Sequence, residues 1–431
     1  MAVTHISTTS QKQFASQSLK PSSSNKKASL TITDTRCQTV TGFGGCFNEI
    51  GYDVLKCLPA KEQDKVMRSL FDRSTCDFNF CRLPIGASDY ALTWYSHNEH
   101  DGDYAMRHFS IERDQNYLLP YIKKAQALRK GDLQLFASPW SPPSWMKTHK
   151  AFNYGILVPT KENMTAYALY FARFVEAYAK EGVTINQVHL QNEPVADHKF
   201  PSCLFTGAQM RDFIRDYGGP MFKKRGLSCE WWLGTINSDD YNGFANTALS
   251  DPKARQFIKG VGYQWAGKGA IARTHAAWPG IPVIQTENEC GDGTNTWCYA
   301  HYIFELIQHY FVSGASAYVY WNMILPPEGA STWGWKQNAM ITIDPATKKV
   351  TYNPEYYVMR HVTQFVKPGA VRLECTGELA SNALGFVNID GSQVVVVANQ
   401  FDTPRQASIV VAGSHYTLDM PPASFHTIVV N

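Results

Sequence analysis

No run of this 431-residue chain approaches the ~20 consecutive apolar residues of a bilayer-spanning helix, so nothing in it reads as a membrane span. Blocks of Lys or Arg are also missing. Forty basic residues against 37 acidic ones leave a formal charge of only +3, which argues against a nucleic-acid partner. Ten cysteines are too few for a disulfide scaffold at this length. They show no CxxC or Cys/His ligand spacing, so no metal is expected. Cys76 with Cys81, and Cys290 with Cys298, are near neighbours in sequence, which fixes neither pairing nor redox state. A glycine-rich phosphate loop is lacking too. Gly42-Phe43-Gly44-Gly45 is too short and has no helix entry, so no dinucleotide, and no other cofactor, is expected. The segment 1–27 is rich in Ser, Thr, Gln and Lys and lacks an apolar core, so as written it is no signal peptide and reads as irregular or disordered.

What is present is the composition of a well-packed globule, 44% hydrophobic and 18% charged, with 11 Trp and 22 Tyr. From about Thr39 to Met323 a short apolar run, a polar or Gly/Pro loop and a helical pattern keep recurring. The candidate strands are Val40–Phe47, Phe78–Pro84, Leu133–Pro139, Gln187–Gln191, Ser228–Thr235, Gly260–Trp265, Pro282–Thr286 and Ala315–Trp321. The clearest helix is Glu162–Lys180, where Tyr167, Tyr170, Phe171, Phe174, Val175 and Tyr178 share one face. Eight strands alternating with helices predict an α/β fold, a (β/α)8 TIM barrel spanning residues 39–350.

Beyond about Pro368 the helical pattern gives way to short β-rich runs, with a hairpin signal at Asp390-Gly391. This predicts a small antiparallel β-sandwich over residues 351–431. Such a unit is marginal by itself, and a strand within 28–38 is expected to join it, tying the chain ends together.

In a barrel of this kind, polar residues at the C-terminal strand ends face the site. Those ends supply Asn48 and Glu49, Arg82 with Asp89, Trp140, Asn192 and Glu193, Gln264 and Trp265, Glu287, and Trp321 with Asn322. Carboxylates, amides and indoles together suit a neutral polyhydroxylated ligand, a carbohydrate. Glu193 and Glu287 end the fourth and seventh strands and face each other, which is the minimum equipment for glycosidic hydrolysis. A separation of about 5–5.5 Å gives retention, and roughly 6.5–9.5 Å gives inversion.

The ordered segments Gly42-Phe43-Gly44-Gly45, Arg82-Leu83-Pro84 with Asp89, Ala137–Lys147, Gln191-Asn192-Glu193-Pro194, Cys203 with Arg211–Ile214, Thr286-Glu287 and Tyr320–Asn322 through Gly329 resemble glycoside hydrolase family 30 of clan A. The resemblance covers nearly the whole barrel, and the C-terminal sandwich also fits. It implies a retaining β-glycosidase with Glu193 as acid/base and Glu287 as nucleophile. It implies that Asn192 bonds the sugar 2-hydroxyl and Arg82 keeps the nucleophile ionised, while Asp89, Trp140 and Trp321 line the sugar subsite. The implied substrate is a β-glucoside, with β-xylosides and β-fucosides, or endo action on β-1,6-glucan or xylan, as alternatives. A carbohydrate-binding protein on an inactive scaffold, or a metal-dependent hydrolase using the His97–His108 stretch, are readings of other classes. A secreted or periplasmic location suits the activity, and oligomeric state is left open.

Two departures bear on the site. Where the glucosylceramidase-like pattern has His-Trp-Tyr, this chain has Gln264-Trp265-Ala266. Either Tyr263 or a loop residue contacts the nucleophile, or that group is tuned differently; Tyr263 and Gln264 are therefore counted with the binding residues. Glu289, two residues beyond Glu287, competes for the nucleophile register, and the small hydroxyl residue Thr286 before Glu287 favours the latter. Trp145, Trp333 and Trp335 read equally as sugar platforms or packing.

Overall fold

The computed structural model describes residues 2–19, 21–22 and 27–431. Eight parallel strands, β1 Gly42–Cys46, β2 Phe80–Pro84, β3 Gln134–Ser138, β4 Gln187–His189, β5 Glu230–Ile236, β6 Ile258–Gln264, β7 Val283–Glu287 and β8 Ala317–Asn322, follow one another around a barrel. Closure between β7 and β8 relies on few main-chain bonds. The Ser316 N–H donates to Val283 O at 2.8 Å. Higher up, side chains replace the ladder: Gln285 Oε1 accepts from Val319 N and Asn288 Oδ1 from Trp321 N, both at 2.6 Å. Two amides thus satisfy buried main-chain donors beside the end of β7.

The barrel floor is plugged by Phe80, Phe136, Trp232, Ile284, Ala317 and Val319. His189 lies with its ring centroid 4.9 Å from Phe136 and 5.7 Å from Trp232, and burial holds it neutral. Strand periodicity of two then sets the rim: Arg82 stands two residues beyond Phe80, and Ser138 two beyond Phe136. The helix Lys161–Lys180 starts at Thr160, whose side chain accepts from Asn163 N at 3.2 Å. Its Tyr167, Tyr170, Phe171, Phe174 and Tyr178 are fully buried against the barrel, as their spacing predicts. Such burial stabilises by roughly 1.5–3 kcal/mol per large side chain.

Of the remaining strands, Ile324–Leu325, Ile341–Ile343 and Val350–Tyr352 form a small three-stranded sheet and the other nine form one sheet. Its order is Ser414–Met420, Arg405–Val411, Leu30–Thr39, Val371–Thr376, Ala383–Val387, Gln393–Asn399, Ser424–Val430, Val3–Thr8 and Ala15–Gln17. Apolar residues from both halves of this sheet, among them Leu30, Leu373, Val395, Ile409, Leu418 and Ile428, meet in one core. Two expectations are corrected here. Leu30–Thr39 pairs antiparallel with Val371–Thr376 but parallel with Arg405–Val411, so the unit is not purely antiparallel.

The segment expected to be irregular contributes strands Val3–Thr8 and Ala15–Gln17, while residues 1, 20 and 23–26 of it lie outside the described residues. Its polar residues are buried because they find polar partners. His5 Nε2 lies 3.1 Å from His426 Nδ1, and Thr8 Oγ1 lies 2.7 Å from His361 Nε2. His361 belongs to the helix Pro354–Thr363, so this seam joins sheet to helix.

Candidate active site

Arg82 projects from β2 into the barrel mouth and is completely buried. Its Nη1 donates to Glu287 Oε2 at 2.5 Å and its Nη2 to Asn192 Oδ1 at 2.6 Å and Ser138 Oγ at 2.8 Å. The guanidinium carbon lies 4.6 Å from the Trp140 ring centre and 5.4 Å from that of Trp321. A cation held by three acceptors and two indoles has one geometry, and it fixes β2, β3, β4 and β7 relative to one another.

Gln264, at the end of β6, completes the frame. Its Nε2 lies within donating distance of Asn192 Oδ1 at 2.6 Å, Glu287 Oε2 at 2.8 Å and Thr235 Oγ1 at 3.0 Å. The Asn192 carbonyl is therefore committed to Arg82 and Gln264, which leaves its amide N–H groups for a ligand.

Glu193 adopts φ of 49°, in the left-handed region that a non-glycine residue occupies at a cost of about 1–3 kcal/mol. Its N–H donates to Thr235 O at 3.1 Å, and Trp265 Nε1 donates to its Oε1 at 2.8 Å. Pro194 follows, so the chain turns sharply away from the strand end and leaves this carboxyl on the cavity wall.

A cavity of about 430 Å³ lies above these groups, lined at its base by Asp89, Trp140, Asn192, Glu193, Glu287 and Cys290. Three carboxyls thus line one cavity, and of these only Glu287 is in contact with the Arg82 guanidinium. Burial raises Glu193, with the Trp265 N–H pulling it back. Burial pushes Asp89 up to about 7, and the Glu193 charge adds to that. Glu287 is also raised by burial, opposed by Arg82 and reinforced by Glu193 and Asp89. Asp89 Oδ1, which faces the cavity, and Trp321 Nε1 are buried without protein partners.

This arrangement meets its counterpart in known proteins. The model of the glycosyl hydrolase family 30 TIM-barrel domain matches residues 40–366, and that of the family 30 β-sandwich domain matches 369–428. The chain belongs to glycosyl hydrolase family 30. The "Putative glucosylceramidase 3" of Caenorhabditis elegans is 28% identical, covering 94% of this chain and 83% of that one. The "Endo-1,6-beta-D-glucanase" of Neurospora crassa is 27% identical, covering 88% and 83%. The crystal structure of SrfJ from Salmonella typhimurium shares the fold over the full length of both chains, with a TM-score of 0.93 and 24% identity. As a family 30 member, the protein is a retaining β-glycoside hydrolase whose substrate is a carbohydrate.

Against the family 30 pattern, the structure brings Arg82, Asp89, Trp140, Asn192, Glu193, Gln264, Glu287 and Trp321 together, but not Tyr263. That side chain points outward, and its hydroxyl lies 2.7 Å from Thr274 Oγ1 in the helix behind the barrel. Period-two alternation explains this: Gln264 faces in, so its neighbour faces out. Gln264 itself donates to Glu287 Oε2 at 2.8 Å. Glu289 accepts from Lys268 Nζ and Tyr302 Oη, both at 2.6 Å, whereas Glu287 alone meets Arg82. Asn48 caps the helix Glu49–Lys56, and Glu49 pairs with Arg113.

His97 is buried against Tyr170 and Phe174, and among the described residues no group of three or more His, Cys, Asp and Glu could hold a metal. All ten cysteines are free thiols. Among the described residues, no helix is long and apolar enough to cross a membrane.

Several residues of the site escaped the strand-end pattern. Ser138, at the end of β3, and Thr235, one residue before the end of β5, lie beneath the cavity and bond Arg82 and Gln264, and the strand-end rule could have found them. His198, Phe200 and Trp335 reach the cavity from long loops that carry no such signal. Of the three ambiguous tryptophans, Trp335 lines the cavity. Trp145 is buried and donates to Asn98 O, and Trp333 stacks on Trp94.

Proposed function

We propose that the protein hydrolyses β-glucosidic bonds by double displacement, with Glu287 as nucleophile and Glu193 as acid/base. The observation that carries this reading is the unequal setting of the two acids. Arg82 and Gln264 both face Glu287 Oε2, whereas Glu193 has only the neutral indole N–H of Trp265. Burial raises both groups, Glu287 the more strongly, with Arg82 opposing that rise; the direct contact of the Arg82 guanidinium with Glu287, which Glu193 lacks, is the ground on which the charge is assigned to Glu287 and the proton to Glu193.

In the first step the Glu287 carboxylate attacks the anomeric carbon while Glu193 gives its proton to the departing oxygen. A glycosyl ester forms and the alcohol leaves. In the second step water attacks the same carbon, Glu193 takes a proton from it, and Glu287 is released. The free amide of Asn192 donates to the sugar 2-hydroxyl, a bond that strengthens as the ring gains positive charge. Relatives named for glucosylceramide and for β-1,6-glucan share the β-glucoside, which supports that sugar here.

Kinetics on 4-nitrophenyl β-glucoside test the reading. Glu287→Gln is expected to lose more than about 10³-fold in kcat. Azide is expected to rescue Glu287→Gly and to give an α-glucosyl azide. Retention of kcat within about tenfold in Glu287→Gln would sink the assignment.

A further inference from the structure

The indole that meets Glu193 stands on a short turn, Trp265–Ala270, directly after β6. The inner side of this turn is seated on the end of β5 and the loop that follows it. A Cβ on Gly267 would lie 2.5 Å from Ile236 O, and Gly269 N donates to Asp239 Oδ1 at 2.7 Å. On the outer side Trp265 and Ala266 are only half-buried, and an alanine methyl offers no hydrogen bond there. An N–H···O bond weakens steeply as its angle closes, so a turn free to rock would not keep the indole 2.8 Å from the carboxyl.

Lys268 and Glu289 fasten that outer side. Lys268 Nζ donates to Trp265 O at 3.1 Å and to Glu289 Oε1 at 2.6 Å. Tyr302 Oη donates to Glu289 Oε2 at 2.6 Å, and His309 Nε2 lies 3.3 Å from Lys268 O. Tyr302 and His309 stand about two turns apart on the helix Trp297–Val312, so the turn is tied to that helix at two points. Both oxygens of Glu289 are thereby engaged. The side chains of Lys268 and Glu289 are 34% and 29% exposed, and an ion pair so open to water adds little to stability. Its consequence is where the turn sits.

We infer that Glu289 and Lys268 are positioning residues for the acid/base, holding the Trp265 turn so that the indole N–H stays on Glu193. The second glutamate after β7 thus serves the acid at the end of β4 and takes no part in the bond changes. The inference rests on the assignment of Glu193 as acid/base and adds what holds its partner in place.

The test compares pH–rate profiles of kcat/KM on 4-nitrophenyl β-glucoside for Glu289→Gln and Lys268→Met, and for Glu289→Gln combined with Trp265→Phe. Glu193 is faced by Arg82, His198, Asp89 and Glu287, and Glu289 by Cys290 and Tyr299, none of which these variants alter. The two single substitutions remove charges of opposite sign. Acting through charge alone, loss of Glu289 would move the basic limb down and loss of Lys268 would move it up. Acting through the turn, both weaken the Trp265 bond, so both are expected to move the limb up, by about 0.3–1 pH unit. The upward shift of Glu289→Gln is expected to disappear in the Trp265→Phe background, where that bond is already gone.

A basic limb that stays in place or moves down in Glu289→Gln overturns the inference, as does an upward shift that persists beside Trp265→Phe. A loss of more than about 10³-fold in kcat for Glu289→Gln also overturns it, since that would make Glu289 a reacting group. The acid/base reading is checked separately. Azide is expected to rescue Glu193→Ala and to give a β-glucosyl azide, and failure of that rescue would remove the reading of Glu193 itself.

Discussion

Gln264 donates to the Glu287 carboxylate at 2.8 Å from the strand next to the one that bears it. The same amide nitrogen also lies 2.6 Å from Asn192 Oδ1, so one side chain ties the proposed nucleophile to the residue proposed to orient the sugar. A tyrosine hydroxyl could supply the first bond. It has a single proton, and an amide N–H₂ has two.

Gln264→Ala is therefore expected to act on kcat rather than on folding. Hydrogen bonds to a charged group are worth about 1.5–3 kcal/mol, which converts to roughly 10–100-fold in kcat/KM. Stopped or steady-state assays with an aryl β-glucoside, alongside a thermal melt, check this. A change confined to the melting temperature would remove Gln264 from the site's working parts.

Asp89 exchanges stability for function. Its folded carboxyl titrates near 7, against 3.8 for the free side chain, because it is buried beside Glu193. A raised acid favours the folded state fully only at low pH, and that contribution is lost as pH rises from 3.8 through 7. At pH 8 the Asp89→Asn variant, which carries no charge to desolvate, is expected to be more stable by on the order of 1–3 kcal/mol. It should also lose ~10-fold or more in kcat/KM, since the sugar hydroxyls lose a charged acceptor. Chemical denaturation at pH 5 and pH 8 reads the first effect, which should shrink at the lower pH.

How legible all this was follows from geometry. Arg82, Asn192, Gln264 and Glu287 could be found because an apolar run that ends in a polar residue marks a barrel strand's C-terminal end. Tyr263 was misplaced by one residue, the distance over which a strand reverses its side chains. Val3–Thr8 was missed because its buried residues are the polar His5, Ser7 and Thr8, and the partners of His5 and Thr8 lie some 350–420 residues away. The loop residues Phe200 and Trp335 meet only after the barrel has closed, so no local pattern could announce them.

The histidine seam predicts acid lability of the whole chain. His5 is lowered to about 4 and His426 to about 3 by burial, and His361 is driven well below its ordinary value by burial and by its histidine neighbours and Arg360. Unfolded histidine takes up its proton near 6.5, so between there and about 4 the unfolded state binds more protons. Stability is fully present above 6.5 and falls as pH drops through that window, by up to about 1.4 kcal/mol per pH unit for each histidine. Denaturation midpoints measured from pH 7 to 4 should show this slope, and His426→Gln should flatten it. An equal slope in that variant would place the acid sensitivity elsewhere.

Trp265 offers a test of the acid itself. Its indole N–H donates to Glu193 at 2.8 Å and so stabilises the ionised carboxyl, partly offsetting the rise that burial causes. Trp265→Phe keeps an aromatic ring at the wall and removes only that donor. The carboxyl should then hold its proton to higher pH. Because an acid that must be protonated sets the basic limb of kcat/KM, that limb is expected to move upward by about 0.5–1 pH unit. The acidic limb belongs to the group that must be ionised, Glu287 on the present assignment, and should stay where it is. A pH–rate profile from pH 4 to 9 on 4-nitrophenyl β-glucoside separates the two limbs. A basic limb that moves downward, or an acidic limb that moves in its place, would reverse the roles of Glu193 and Glu287.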